Sequence, residues 1–286
     1  MLGAALCAFL YWFALNVSIP AVRFLGGEMI AITVAPLLSA GVASALAMAI
    51  FESRNFGELG LTFESGTGRN LLTGVGMGAT AAALVVLPPV ALGFAHFMSN
   101  PQVDFSWRAS LFLPVLLFCG AMGEEILFRG FALQYLMNAY RRTLGGYGQW
   151  VPIVVLGTIF GLLHWALNPG ANPLGIFNTA GFGILFGASL LRTHDLWFPI
   201  GMHFGWNVVL PFLGVELSGL TIRVTGYRLV WKAGSVWSGG EYGPEGSILC
   251  TGALVLLALV VWKVPVHRGH AYLLDAQPEQ LESSAL

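Results

Sequence analysis

Apolar residues fall in long, nearly unbroken runs along this chain, and the polar residues are gathered between the runs. A membrane span needs about 20 mostly apolar residues. Leu2 to Val22 and Met29 to Phe51 meet that length without a charge. Leu71 to Met98 is a third run, with a bend expected at Pro88-Pro89 because neither proline donates to the helix ladder. Leu111 to Met137, Val151 to Leu167, Pro173 to Leu191, Leu196 to Leu213 and the shorter Ile248 to Trp262 follow. The pattern predicts an all-α fold, a polytopic transmembrane helical bundle of about eight spans. The expected connections are a polar loop from Glu52 to Asn70 with an interfacial piece near Phe56 to Phe63, a loop from Asn100 to Ser110, and a Gly-rich polar stretch from Glu216 to Gly246. Residues 1–264 read as one integral membrane domain without internal repeats, and 265–286 as a soluble, poorly ordered tail.

Composition agrees with this reading. Only 9% of the 286 residues are charged and 56% are hydrophobic. A soluble domain carries about 25% charged residues, so that class is excluded. A net charge of -1 and the lack of a Lys/Arg-rich run exclude nucleic acid as a partner. Cys7, Cys119 and Cys250 lie in apolar runs, as packed hydrophobes do. The 37 glycines are scattered through the apolar segments, where small residues let helices approach closely. With eight spans and cytoplasmic termini, Arg54, Arg69, Arg141, Arg142, Arg192, Lys263 and Arg268 lie inside, against Arg23, Arg108, Arg223, Arg228 and Lys232 outside. That is a slight positive-inside bias.

The fourth run contains Glu124, Glu125 and Arg129. A charge at the centre of a spanning helix costs roughly 2.5–3.5 kcal/mol on insertion scales. Such charges persist where they pair, face a polar cavity or do chemistry. Each helical residue turns about 100°. Glu125 and Arg129, four apart, share a face in the favourable acid-before-base order. Glu124 points elsewhere and needs another partner, and the candidates are His164 and His203 on later runs. His203 and Asn207 are also four apart, so imidazole and amide project from one face; Phe160 and His164 share that spacing. A glutamate with two histidines can activate a water for attack on a carbonyl, the carboxylate taking the proton. The same trio could instead ligate zinc, since two histidines and a glutamate with an open position form a catalytic Zn²⁺ set, with His164 and His203 as metal ligands. Asn168, one turn after His164 on the same face, could support it but reads first as an ordinary polar residue; His194-Asp195 reads as an interfacial cap and His96 as interfacial.

Glu124-Glu125-x-x-x-Arg129, Phe160-x-x-x-His164 and His203-x-x-x-Asn207, in that order on separate runs, resemble the CPBP family. That family comprises CAAX prenyl endoproteases of the Ras-converting type, bacteriocin-processing proteins and Abi proteins. The resemblance covers roughly residues 70 to 264 and rests on the three motifs together. It implies an eight-helix intramembrane peptidase with Glu124 as catalytic glutamate and a cavity open to the cytosol and adjacent lipid. The implied substrate is a CAAX-type prenylated peptide or another membrane-associated peptide. The short, loop-poor chain suits a bacterial inner (plasma) membrane. Two rival readings are a proton-coupled transporter, since intramembrane Glu, His and Arg also build proton relays, and a non-catalytic membrane scaffold. Clustering of the charges at one site and the lack of repeat symmetry weigh against the transporter. The scaffold reading requires that Glu124→Gln leave the cellular phenotype intact.

Overall fold

In the computed structural model, which describes residues 1–100, 106–168 and 170–275, every predicted apolar run contains a helix. The helices are α1 (Leu2–Gly26), α2 (Glu28–Glu52), α3 (Thr67–Ala91), α4 (Trp107–Arg129), α5 (Phe131–Leu144), α6 (Trp150–Leu167), α7 (Pro173–Thr193), α8 (Trp197–Phe212), the single turn α9 (Ser235–Ser238), α10 (Ile248–Val261) and the short α11 (Tyr272–Asp275). Six segments among the described residues are long and apolar enough to cross a membrane: α1, α2, α3, the 38-residue run Trp107–Leu144, Gly146–Leu167 and α7. Helices α8 and α10 have 16 and 14 residues. At about 1.5 Å per residue they are shorter than a bilayer core of about 30 Å. The protein is an integral membrane helical bundle; the expected eight helical segments are all present, six of them with full spanning length.

Burial separates outer from inner helices. In α1 only Gly3 and Cys7 are buried, so its apolar side chains face outward. Most of α8 is buried, including Phe198, Met202, His203 and Trp206. Its neighbour α3 packs backbone to backbone: a Cβ on Gly74 would stand 2.3 Å from the Phe198 carbonyl oxygen, and one on Gly78 2.0 Å from that of Met202. The relation is reciprocal. A Cβ on Gly201 or Gly205 would meet the carbonyls of Leu71 and Val75 at 2.3 and 2.2 Å. This small-xxx-small pair on both helices lets dispersion act over a long, close contact. Helices α6 and α7 approach in the same way at Gly157 and Gly183.

The fourth run is divided at Gly130, where α4 ends and α5 begins. A Cβ there would lie 2.1 Å from the Ile126 carbonyl oxygen. Two further findings differ from the sequence expectations. The third run leaves the helix at Ala91, and Ala95–Ser99 forms strand β1, paired antiparallel with β2 (Tyr227–Trp231) in the stretch expected to be loop. Of the loop expected between Asn100 and Ser110, residues 101–105 lie outside the described residues, and Trp107 onward is helix, capped by the Ser106 hydroxyl accepting from Ala109 N–H.

The tail is docked rather than loose as far as it is described. Ala271, Leu273 and Leu274 are buried, Gly269 N–H donates to the Thr193 carbonyl at 2.8 Å, and Arg141 Nη1 donates to the Leu274 carbonyl at 3.1 Å. Asn70 on α3 clasps the chain at His267 from both sides, donating to its carbonyl and accepting from its N–H, both at 2.8 Å. Burial of Leu273 and Leu274 supplies the hydrophobic gain that offsets the ordering of the segment.

Candidate active site

Helices α4, α6 and α8 bring the charged motifs together. On α4, Arg129 Nη1 donates to Glu125 Oε1 at 3.0 Å, and both side chains are buried. Arg129 Nη2 donates to the Gly183 carbonyl at 3.0 Å. The guanidinium lies 4.7 Å from the Phe160 ring centroid and 5.3 Å from that of Phe186. The helical spacing therefore predicts this pair correctly, and it leaves Glu124 free to point at α6 and α8.

The two histidines are oriented by their Nδ1 atoms. His164 Nδ1 is 2.9 Å from the Phe160 carbonyl oxygen. A carbonyl only accepts, so Nδ1 carries the hydrogen and Nε2 presents its lone pair in the neutral ring. His203 Nδ1 is 2.9 Å from Glu125 Oε1, so Glu125 serves Arg129 and His203 with one oxygen. Both Nε2 atoms face the same atom: Glu124 Oε2 lies 3.9 Å from that of His164 and 3.8 Å from that of His203. Glu124 Oε2 is buried and takes no hydrogen bond from the described residues. The separations are too long for direct hydrogen bonds and suit a single bridging water. The Glu124 side chain is 36% exposed against 0% for Glu125, so only the first carboxylate is open to a substrate.

Aromatic rings wall the site. Phe160 lies 4.4 Å from the His164 ring and edge-on to His203 at 6.2 Å. Phe186 of α7 stacks on His203 at 5.3 Å. Asn207 is half-buried one turn beyond His203, and its amide makes no hydrogen bond with the described residues. Asn168 follows the last residue of α6, its backbone N–H donating to the His164 carbonyl. The roles of Glu125 toward His203 and of Phe186 have no sequence signature, because both depend on which helices become neighbours.

As a metal site the trio is open. Donors at about 2.1 Å around a tetrahedral zinc stand about 3.4 Å apart, closer than the 3.8 and 3.9 Å found here. No group of three His, Cys, Asp or Glu among the described residues converges closely enough to hold an ion.

Comparison with known proteins bears on this geometry. Residues 106–209 match the family model described as type II CAAX prenyl endopeptidase Rce1-like, and that segment contains Glu124, Glu125, Arg129, Phe160, His164, His203 and Asn207. No curated protein and no solved structure matches the chain. That matched segment, which carries the whole constellation, is similar to the CAAX protease (CPBP) family.

Proposed function

We propose that the protein is an intramembrane endopeptidase in which Glu124 is the general base, and that residues 1–264 form its peptidase unit. The observation that carries this reading is Glu124 Oε2, buried, without a donor among the described residues, and faced by two imidazole Nε2 atoms whose Nδ1 atoms are anchored elsewhere. A water between them donates one hydrogen to Glu124 and the other to the lone pair of neutral His164. Glu124 takes a proton as the water oxygen attacks the peptide carbonyl carbon. His203 acts as imidazolium, its Nδ1–H held by Glu125, and donates Nε2–H to the oxyanion; Asn207 adds an amide N–H. Collapse of the intermediate breaks the C–N bond, and protonated Glu124 returns its proton to the leaving amine. Glu125 and Arg129 hold the end of α4, and Phe160 and Phe186 keep bulk water from the histidines.

The substrate class is a peptide presented at the membrane, with a prenylated CAAX-type C-terminus as the member to try first. The slight surplus of Arg and Lys at the α2–α3, α5–α6 and tail ends supports a cytoplasmic location for those ends and both termini, and the loop-poor chain suits a bacterial inner membrane. Cleavage of a quenched-fluorescent farnesylated CAAX peptide by detergent-purified protein tests the reading. Glu124→Gln is expected to lower the rate by at least about 10²-fold. An equally active Glu124→Gln variant overturns the assignment, and no cleavage by wild type removes prenyl peptides as the substrate. Zinc analysis and a chelator arm in the same experiment separate a metal-dependent enzyme from one that works through Glu124 and the histidines alone.

A further inference from the structure

One buried carboxylate lies outside both the constellation and the family-matched segment. Glu245 sits in the 3-10 turn Pro244–Gly246, in the connection from α8 to α10, and is only 7% exposed. Its carboxylate oxygens accept from neutral donors: Oε1 from Trp206 Nε1–H at 3.1 Å, and Oε2 from the Ser218 backbone N–H. Burial pushes its carboxyl upward, and the Ser218 donors oppose that shift. A carboxylate is expensive to desolvate in such a place, and a neutral amide, with a single acceptor oxygen, could serve only one of the two N–H donors.

The turn that carries Glu245 is itself fixed. Asn178 Nδ2 on α7 donates to the Glu245 carbonyl at 2.8 Å and to the Ser247 carbonyl at 3.0 Å, and its Oδ1 accepts from Thr251 of α10 at 2.7 Å. Trp206, the residue held by this post, lies on α8 between His203 and Asn207. Its ring packs 4.9 Å from Phe182, Phe182 lies 5.8 Å from Phe186, and Phe186 stacks on His203. A continuous chain of packed rings thus runs from the Glu245 contact to a histidine of the site.

We infer that Glu245 is a positioning residue for the proposed reaction: by holding the Trp206 indole N–H from a fixed turn, it sets the rotation of α8 that presents His203 and Asn207 to the reacting carbonyl. The inference rests on the peptidase reading. Glu245→Gln retains one acceptor oxygen but turns an amide NH₂ toward one of the two N–H donors. Trp206→Phe keeps a ring against Phe182 and removes the N–H.

The test compares wild type, both single variants and the double variant in the peptide-cleavage assay, with melting temperature in detergent measured alongside. Each single variant is expected to lose kcat by about tenfold or more, as small misplacements of catalytic groups do. KM should stay within about twofold and the melting temperature should not fall. The double variant should be no slower than the worse single variant, because both changes remove one contact. An unchanged kcat in Glu245→Gln overturns the inference while leaving the peptidase reading intact. So do losses that multiply in the double variant, and a kcat loss matched by a fall in melting temperature. A wild type that cleaves neither the farnesylated peptide nor unmodified membrane-inserted peptides overturns the peptidase reading, and this inference with it.

Discussion

Successive residues on a helix point about 100° apart, and at Glu124 and Glu125 that rotation separates two kinds of work. Glu125 is buried against Arg129 and His203. Removing one partner of a buried ion pair leaves the other uncompensated, at a cost of about 3–5 kcal/mol. Glu125→Gln should therefore lower the melting temperature strongly while retaining more activity than Glu124→Gln, which breaks no ion pair with Arg129 and should melt like wild type. Calorimetry and peptide cleavage on the same preparations check this. Equal and complete loss of activity in both variants, with equal stability, would sink the division of labour. Much of this was legible from spacing alone, since a four-residue step fixes the Glu125–Arg129 face before any fold is known. The bond from Glu125 to His203 was not, because 78 positions separate them and only the packing of α8 beside α4 creates it. Glu245 stayed hidden for the same reason, inside a Gly-rich stretch whose polarity suggests an exposed loop.

The helices are placed by contacts in which glycine replaces side-chain bulk. Gly78 of α3 faces the carbonyl of Met202, the residue before His203. Gly78→Ala would put a methyl carbon 2.0 Å from that oxygen, so α3 and α8 must separate or slide. Overpacking of this kind costs typically about 1–3 kcal/mol. Because His203 rides on the displaced helix, activity should fall by more than the stability loss explains, up to about 10²-fold for a 1 Å shift. Activity measured well below the melting transition tests this, and wild-type kcat in a destabilised variant would show that α8 position is not limiting. Helix existence was readable in the apolar runs because length and hydropathy are local. The division at Gly130 was not, since one glycine inside an apolar run does not show which carbonyl its missing Cβ would strike. The ribbon of Ala95–Ser99 with Tyr227–Trp231 escaped because its two halves are joined only by a long-range register.

At the scale of the molecule, lipid-facing α1 and buried α8 belong to one sequence class of apolar run, so hydropathy predicts that each is a helix but not which lies inside. The tail shows the converse: Lys263, Arg268 and Asp275 make it read as solvated, yet those charges flank a docked segment. His194, in a left-handed cap at the end of α7, places Nδ1 2.6 Å from Asp275 Oδ1, while Arg268 Nη2 lies 3.1 Å from its Nε2. His270 Nδ1 holds the other Asp275 oxygen at 2.7 Å. Burial is the largest influence on His194 and pushes its pKa below the ordinary 6.5, and Asp275 opposes that shift. The unfolded chain therefore binds a proton at His194 more readily than the folded one, and the stability this site contributes above pH 6.5 drains away as pH falls below it. His194→Asn keeps a residue that tolerates the left-handed cap and removes the titration. The difference in melting temperature between wild type and His194→Asn should shrink, or turn in favour of the variant, on going from pH 7.5 to pH 5.5, roughly one unit either side of that ordinary value. A difference that does not change with pH would mean that His194 exchanges no proton when the tail docks, and that the clasp is held by Asp275 through Arg268 and His270 instead.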